Sequence, residues 1–276
     1  MDVPHLRPCA RPCLRTLFVL AFAALSSVPR ETHGAEPARP SLGQQVYNRH
    51  CAICHGLDGS GNGAAAPLFT SRPRDFRSGV YKFRSTGSGQ LPTDEDIAGS
   101  VAKGLPGAGM VPQSQLSADA VAAVVEYVKA FTPRFRERGV PKAILLPEPA
   151  AREQVPAERG RQVYVENGCP ECHGESARGD GPSAAKLSVA PADLTERPLK
   201  GGSAAKDIVR TVLTGLDGTP MPSYHLVIAD ADVWALAYWI ESIGAAPRMK
   251  REERLGWSVE EREPPADRYG ASAAGH

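Results

Sequence analysis

Cys51-Ala-Ile-Cys54-His55 and Cys169-Pro-Glu-Cys172-His173 share one pattern: two cysteines separated by two residues and followed at once by a histidine. In that spacing two thiols can add across the two vinyl groups at one edge of a haem, and the histidine can bind the iron. We therefore expect two covalently attached haem c groups. The attachment residues would be Cys51, Cys54, Cys169 and Cys172, and the proximal iron ligands His55 and His173.

Two other uses of these cysteines have to be weighed against haem attachment. Cys and His also bind zinc, so four Cys and two His could hold one or more zinc ions. A Cys-x-x-Cys pair can also be a redox dithiol of the thioredoxin type, although nothing here resembles the βαβ surroundings of that motif. The histidine directly after each second cysteine and the methionines downstream favour haem.

The chain contains an internal repeat that spans both motifs. Gly61 and Gly63 recur as Gly179 and Gly181, displaced by 118 positions, whereas Met110 and its neighbours recur around Met221, displaced by 111. The first copy therefore carries about seven extra residues. Self-similarity of this kind indicates two structural units of the same type.

The extra residues fall within Arg77–Gln90, which we predict to be a surface loop with a short extended strand. Cationic side chains cluster around it, namely Arg72, Arg74, Arg77, Lys82 and Arg84. Three interpretations stay open: they bind the carboxylates of a haem, they form a docking face for an acidic redox partner, or they belong to a solvated loop.

Each copy ends with a stretch whose apolar residues follow the period of an α-helix. Apolar residues lie at i, i+3, i+4 and i+7 from Val121 to Val128, and the pattern returns from Val233 to Ile240 before Gly244. Shorter helices are expected before each Cys pair, from Asp94 to the glycine at 104, and from Ala205 to the glycine at 215. Because alternating strand patterns are scarce, the fold class is mainly α: two tandem domains of a few short helices around bound haem.

The ends of the chain carry different signals. Arginines precede an apolar run at 17–25, which is typical of an export leader cleaved near residue 35. We expect a periplasmic or otherwise exported protein. Any membrane association would come only through an uncleaved leader or a larger complex. The net charge of +1 gives no reason to expect a nucleic-acid partner.

The expected organisation follows from the repeat, the leader and a proline-rich stretch between the copies. Its parts are a signal peptide at 1–35, a first domain at 36–140, a linker at 141–155, a second domain at 156–247 and a charged tail at 248–276, with Trp257 as the anchor of the tail.

The sixth iron position separates electron transfer from chemistry on a bound substrate. Met110 and Met221 are repeat partners in glycine- and proline-rich loops just after a helix, and neither belongs to an apolar helical stripe. We expect both to bind iron through their thioethers, which raises the reduction potential relative to bis-His ligation. The competing ligands are His225, His50 and Met249.

Each copy resembles a class I cytochrome c: an N-terminal helix, Cys-x-x-C-H, a loop bearing the axial Met and a C-terminal helix with an aromatic residue. The resemblance implies that Gly43 with Tyr47, and Gly160 with Tyr164, pack the first helix against the last. It places these contacts near Tyr127 in the first copy and near Tyr238 in the second. It also implies that each ligand histidine donates its other ring nitrogen to a backbone carbonyl.

The functional expectation is an electron-transfer protein, not an enzyme, that exchanges single electrons with redox partner proteins. A di-haem peroxidase-like enzyme is the first alternative, and it needs one iron with an open or displaceable sixth position. A haem subunit of a membrane-bound oxidoreductase complex is the second. Thiosulfate oxidation with a cysteine iron ligand lacks a residue, since no cysteine outside the leader is spare.

Overall fold

The computed structural model describes residues 39–69, 71–139 and 141–244. The predicted leader and tail, including Met249 and Trp257, lie outside these residues. The helices within them are α1 (Leu42–His50), α2 (Ala52–His55), α3 (Asp94–Lys103), α4 (Ala118–Lys129), α5 (Arg134–Glu137), α6 (Ala157–Glu166), α7 (Pro170–His173), α8 (Ala205–Thr214) and α9 (Asp230–Ile243).

The fold is mainly α, as the sequence predicted. The described residues contain no β-strand, and isolated bridges pair Thr86 with Ala143 and Leu105 with Met110. Short 3-10 turns at Ala66–Leu68, Phe76–Ser78, Arg152–Gln154 and Ala184–Lys186 complete the regular structure. Among the described residues, no helix combines the length and the apolar character needed to cross a bilayer.

The first domain is built on the packing of α1 and α3 against α4. Tyr47 of α1 is fully buried beside Val124, Val125 and Val128 of α4, so the predicted apolar stripe does form a core. The start of α3 is fixed by Thr93, whose side chain and that of Asp96 cap each other's backbone.

The second domain repeats this arrangement with α6 and α8 against α9. Its core joins Val163 and Tyr164 of α6 to Val233, Leu236 and Ile240 of α9. The helices predicted to end at glycines 104 and 215 do so, since α3 and α8 stop at Gly104 and Gly215.

One predicted aromatic contact is wrong by one position. In the first domain Tyr47 meets Tyr127, with ring centroids 5.2 Å apart, as expected. In the second domain Tyr164 meets Trp239 at 4.8 Å rather than Tyr238. The last helix is displaced by one residue more than the Met loops are, so Trp239 is the counterpart of Tyr127.

The segment Arg77–Gln90 is a loop, as predicted, but only part of it lies at the surface. It contains no strand, and Tyr81, Arg84 and Thr86 within it are buried. The reason is that this segment packs against the second domain: Arg84 forms a 2.8 Å ion pair with Asp217, and the Phe83 ring lies beside Gly201. We call residues 77–90 the insertion.

The segment at 141–155 is in contact with both domains. The Ile144 amide donates to the Ser85 carbonyl at 2.9 Å. On the other side, Trp234 Nε1 donates to the Pro147 carbonyl at 3.1 Å and the Tyr238 hydroxyl to the Ala150 carbonyl at 2.7 Å. Tyr238 thus hydrogen-bonds to this segment, while the neighbouring Trp239 contacts Tyr164 of α6.

Candidate functional site

The two Cys-x-x-C-H segments form short helical turns, α2 and α7, that directly follow α1 and α6. All four cysteines are free thiols of intermediate burial. Burial raises the pKa of the Cys51 and Cys169 thiols to about 11. No disulfide joins the two cysteines of either turn, so their pairing does not conflict with haem attachment.

Both histidines are held in the same orientation by a backbone carbonyl. His55 Nδ1 lies 3.1 Å from the Arg74 carbonyl oxygen, and His173 Nδ1 lies 3.0 Å from that of Ala192. A carbonyl only accepts, so Nδ1 carries the proton and Nε2 keeps its lone pair. Burial lowers the pKa of both rings, which favours this neutral, ligand-ready form.

The backbone around each histidine is closed by equivalent hydrogen bonds. The Gly61 amide donates to the His55 carbonyl, and the Gly179 amide to the His173 carbonyl, both at 2.8 Å. Gly61 has φ +77°, and a Cβ there would lie 2.5 Å from the carbonyl oxygen of Pro73. This close approach brings the following chain, with its histidine-binding carbonyl, against the turn.

A tyrosine of the preceding helix ties each turn to the domain core. The Tyr47 hydroxyl donates to the Gly56 carbonyl at 2.7 Å, and the Tyr164 hydroxyl to the Gly174 carbonyl at 2.6 Å. Burial raises the pKa of both tyrosines, so the hydroxyls remain protonated donors.

The two methionine loops are closed in the same way. The Leu105 amide donates to the Met110 carbonyl at 2.8 Å, and the Leu216 amide to the Met221 carbonyl at 3.2 Å. Each loop opens on a glycine of nearly equal backbone conformation, Gly104 with φ +65° and Gly215 with φ +67°. The Val-Pro sequence after Met110 therefore leaves the loop geometry unchanged.

The competing ligands lie outside the two methionine loops. His225 is exposed, and its amide donates to Ser223 Oγ at 3.2 Å. His50 is the last residue of α1, directly before the first attachment turn. Met110 and Met221 are both partly buried, and Met221 packs against the second hydrophobic core.

The basic cluster predicted from the sequence divides into groups with different partners. Arg72 donates to Asn62 at 3.4 Å, Arg77 pairs with Asp75 and Asp58, and Arg84 pairs with Asp217. Arg84 thus belongs neither to a solvated loop nor to an exposed docking face.

Arg74 and Lys82 are partly buried, and burial lowers the pKa of both cations. Beside them lies Tyr81, whose buried hydroxyl has no hydrogen-bond partner among the described residues. Burying a hydrogen-bond donor without an acceptor costs free energy. A carboxylate oxygen of a bound group could accept this hydrogen bond. The sequence did not single out Tyr81; its alternation with Val80 and Lys82 was the only signal.

The zinc alternative finds no ligand set in the part of the chain that the structure describes. Nowhere in it do three or more His, Cys, Asp or Glu side chains converge as metal ligands. The donors that are present, paired thiols, a carbonyl-held imidazole and a loop thioether in each domain, fit covalently attached haem.

Comparison with known proteins gives the same family for both domains. The family model described as cytochrome c matches residues 40–132 and again residues 157–244. Each match begins just before or at the first helix of a domain and contains one Cys-x-x-C-H turn and one methionine loop.

Two subunits of cbb3-type cytochrome c oxidases align with most of the chain. The cbb3-type cytochrome c oxidase subunit CcoP of Helicobacter pylori strain 52 is 26% identical over 73% of this chain and 58% of its own length. The subunit FixP of Azorhizobium caulinodans is 23% identical over 84% of this chain and 70% of its own. The chain therefore spans little more than half the length of the CcoP relative.

A solved structure is similar over nearly its whole length. It belongs to a reducing HAO-like protein complex of Kuenenia stuttgartiensis, with a TM-score of 0.71 and 36% sequence identity. The similarity covers 74% of this chain and 96% of the other.

Proposed function

Because the chain belongs to the cytochrome c family, we propose that it is an exported di-haem electron-transfer protein in which a histidine and a methionine bind each iron. Family membership implies covalently bound haem c, and two domains fit a count of two. Haem supplies one-electron redox chemistry at an iron whose potential depends on its axial ligands and its burial.

The residues assigned to each haem follow from the repeat. Cys51, Cys54 and His55 would hold the first haem, and Met110 would supply its sixth ligand. In the second domain the matching residues are Cys169, Cys172, His173 and Met221.

The observation that carries this proposal is that the two domains orient their histidines and close their methionine loops in the same way. Each histidine Nδ1 is held by a carbonyl, which keeps the ring in one orientation with Nε2 as the ligand atom. Each methionine lies at the end of a loop closed by its own carbonyl. Two irons with filled sixth positions suit electron transfer and leave no open position for peroxide.

In the first domain we assign Tyr81 and Arg74 a role toward the carboxylates of the haem. The unpartnered Tyr81 hydroxyl can donate one hydrogen bond, and the partly buried Arg74 guanidinium offers the matching charge. The Arg74 carbonyl meanwhile orients His55. One residue would thus contribute to both the proximal ligand and the edge of the same haem.

Export is supported by the basic residues that precede the apolar run at 17–25. A second candidate, a haem subunit of a larger oxidoreductase, is favoured by the relatives, which are named as oxidase subunits or as part of a complex. The two candidates differ in partner, not in the chemistry at the iron.

The deciding experiment measures haem content and iron ligation in the purified full-length protein. We expect two covalent haems per chain, both low-spin, and the absorption band of the Met–iron bond in the oxidised protein. Met221→Ala should remove part of that band, lower one of the two potentials and leave attachment intact. An unchanged spectrum would implicate His225 or another ligand. A high-spin fraction with peroxide turnover would replace electron transfer with the peroxidase alternative.

Purification from native membranes and periplasm separates the two candidate settings. A free electron carrier is recovered alone in the periplasmic fraction, whereas a subunit co-purifies with its oxidoreductase.

A further inference from the structure

We propose that the insertion of the first domain positions the methionine loop of the second domain, with Arg84 as the positioning residue. The Met221 loop is defined here as residues 215–222. This inference rests on the proposed ligation of the second iron by Met221, and it adds that this ligation depends on a segment of the other domain.

Arg84 is the centre of the contact. Its side chain is completely buried, and its Nη2 atom donates to the Thr214 carbonyl at 3.0 Å and to Asp217 Oδ1 at 2.8 Å. The other guanidinium nitrogens donate within the insertion, to the carbonyls of Gly87 at 3.1 Å and Tyr81 at 3.3 Å. The planar guanidinium therefore links the insertion to both the last residue of α8 and the loop that follows it.

Asp217 receives three donors from the insertion. Besides Arg84, the Ser88 hydroxyl donates to Oδ1 at 3.1 Å and the Gly89 amide donates to Oδ2 at 2.9 Å. Asp217 is only 15% exposed, so these charged hydrogen bonds are partly shielded from water.

This anchor lies inside the loop that presents the methionine. Asp217 falls between Leu216 and Met221, whose backbone hydrogen bond closes the loop. At the next residue, a Cβ on Gly218 would lie 3.2 Å from Val80 of the insertion. The Met221 loop is therefore held by two sets of contacts: its own hydrogen bond from Leu216 to Met221, and the contacts that the insertion makes with Asp217 and Gly218.

Among the described residues the Met110 loop has no equivalent carboxylate anchor; the second domain approaches it at Gly107, where a Cβ would lie 4.0 Å from Lys200 Cε. Pro106 stands at the repeat position of Asp217 and offers no carboxylate, and the second copy lacks the extra residues of the insertion. The dependence should therefore run one way, from the first domain to the iron of the second. This asymmetry provides an internal control for the Met–iron bond. Arg84 donates to the Tyr81 carbonyl but hydrogen-bonds to no residue of the Met110 loop, so the Met–iron band of the first haem should not respond to a change at Arg84.

The test reads each iron separately in the full-length holoprotein. In a Met110→Ala background the remaining Met–iron band reports the second haem, and in a Met221→Ala background it reports the first. Arg84→Met and the milder Asp217→Asn are introduced into both backgrounds. Arg159→Met serves as the matched control, since Arg159 pairs with Asp232 in the second domain and joins α6 to α9, remote in sequence from the Met221 loop.

A second readout does not require the iron bond. Hydrogen exchange is followed at the amides of residues 215–222 and, for comparison, at those of residues 104–111. We expect Arg84→Met to raise exchange at 215–222 by about tenfold or more, which is within the effect of losing a buried charged hydrogen bond. It should weaken the band of the second haem and leave that of the first unchanged. Asp217→Asn should act in the same direction, and Arg159→Met should do neither.

The outcomes separate this inference from the proposed function. If the Met110→Ala protein shows no Met–iron band before any change at Arg84, ligation by Met221 is wrong and the inference falls with it. If the band is present but unaffected by Arg84→Met and Asp217→Asn, Arg84 only joins the domains. Faster exchange with an unchanged band, or equal weakening at both haems, also overturns the positioning role. Where Arg84→Met fails to accumulate as holoprotein, Asp217→Asn decides the question alone.

Discussion

The hydroxyl of Tyr164 donates a buried hydrogen bond of 2.6 Å to the carbonyl of Gly174. This bond joins α6 to the turn that follows the second attachment motif. Tyr47 and Gly56 repeat the contact in the first domain at 2.7 Å. Each tyrosine is almost completely buried, so water cannot replace the hydroxyl.

Tyr164→Phe should lower the free energy of unfolding by about 1–2 kcal/mol, because it leaves the buried Gly174 carbonyl without its donor. The measurement is urea unfolding of the holoprotein followed by circular dichroism. Tyr127→Phe is the control, since the Tyr127 hydroxyl makes no hydrogen bond among the described residues. Equal effects of the two changes would show that the Gly174 contact adds nothing.

Gly160→Ala should lower the free energy of unfolding by about 1–3 kcal/mol, because the new Cβ would overlap the carbonyl of Ala235 and the Cβ of Trp239. Thermal unfolding of the holoprotein measures the effect. Gly99→Ala is the matched control in helix α3, where a Cβ has no neighbour within 4 Å. There helix propensity predicts a gain of up to about 1 kcal/mol. A neutral Gly160→Ala would mean that α6 and α9 can separate freely.

Replacing Cys169 and Cys172 together by alanine should reduce covalent haem from two groups per chain to one, since only the first motif keeps its thiols. Mass spectrometry of the denatured chain counts the haems. Met221→Ala should retain both groups because it changes ligation and not attachment. Two haems in the double cysteine variant would refute the assignment of the second motif.

Asp232→Asn should destabilise the protein at neutral pH but not in strong acid. The pKa of Asp232 lies below its usual range, mainly because Arg159 donates hydrogen bonds to its carboxylate. A carboxyl whose pKa is lower folded than unfolded stabilises the folded state above the unfolded value, roughly 4. That stabilisation is lost as the pH falls through the lower, folded value.

Urea midpoints of the parent and Asp232→Asn proteins, measured between pH 7 and the acid limit of folding, should therefore converge on acidification. Because both side chains are about one-third exposed, we expect a small difference that shrinks in high salt. A difference that is constant with pH would show that the carboxylate charge plays no part.

Local patterns in the sequence predicted the helices and the repeated turns. Val124, Val125 and Val128 became a core because their spacing follows the helical period, and Gly104 and Gly215 ended helices at the predicted places. These features depend on residues close together in the chain, where periodicity and backbone sterics act directly.

The sequence was misleading where contacts are long-range. None of the three interpretations of the basic cluster included an ion pair between Arg84 and Asp217, because Asp217 lies in the other copy and no local pattern joins the two. Tyr81 went unnoticed for a similar reason: its burial results from the packing of the insertion and not from any periodicity. Tyr164 meets Trp239 and not Tyr238 because the last helix is displaced between the copies by one residue more than the Met loop is.

The contact between Arg84 and Asp217 also bears on how a duplicated chain diverges. Two copies of one unit could in principle be independent modules, but here a segment carried by only one copy binds a carboxylate of the other. With the second copy expressed alone, Asp217 would lose all three of its donors from the insertion. The second module therefore completes the surroundings of its own Met221 loop with residues that only the first module carries.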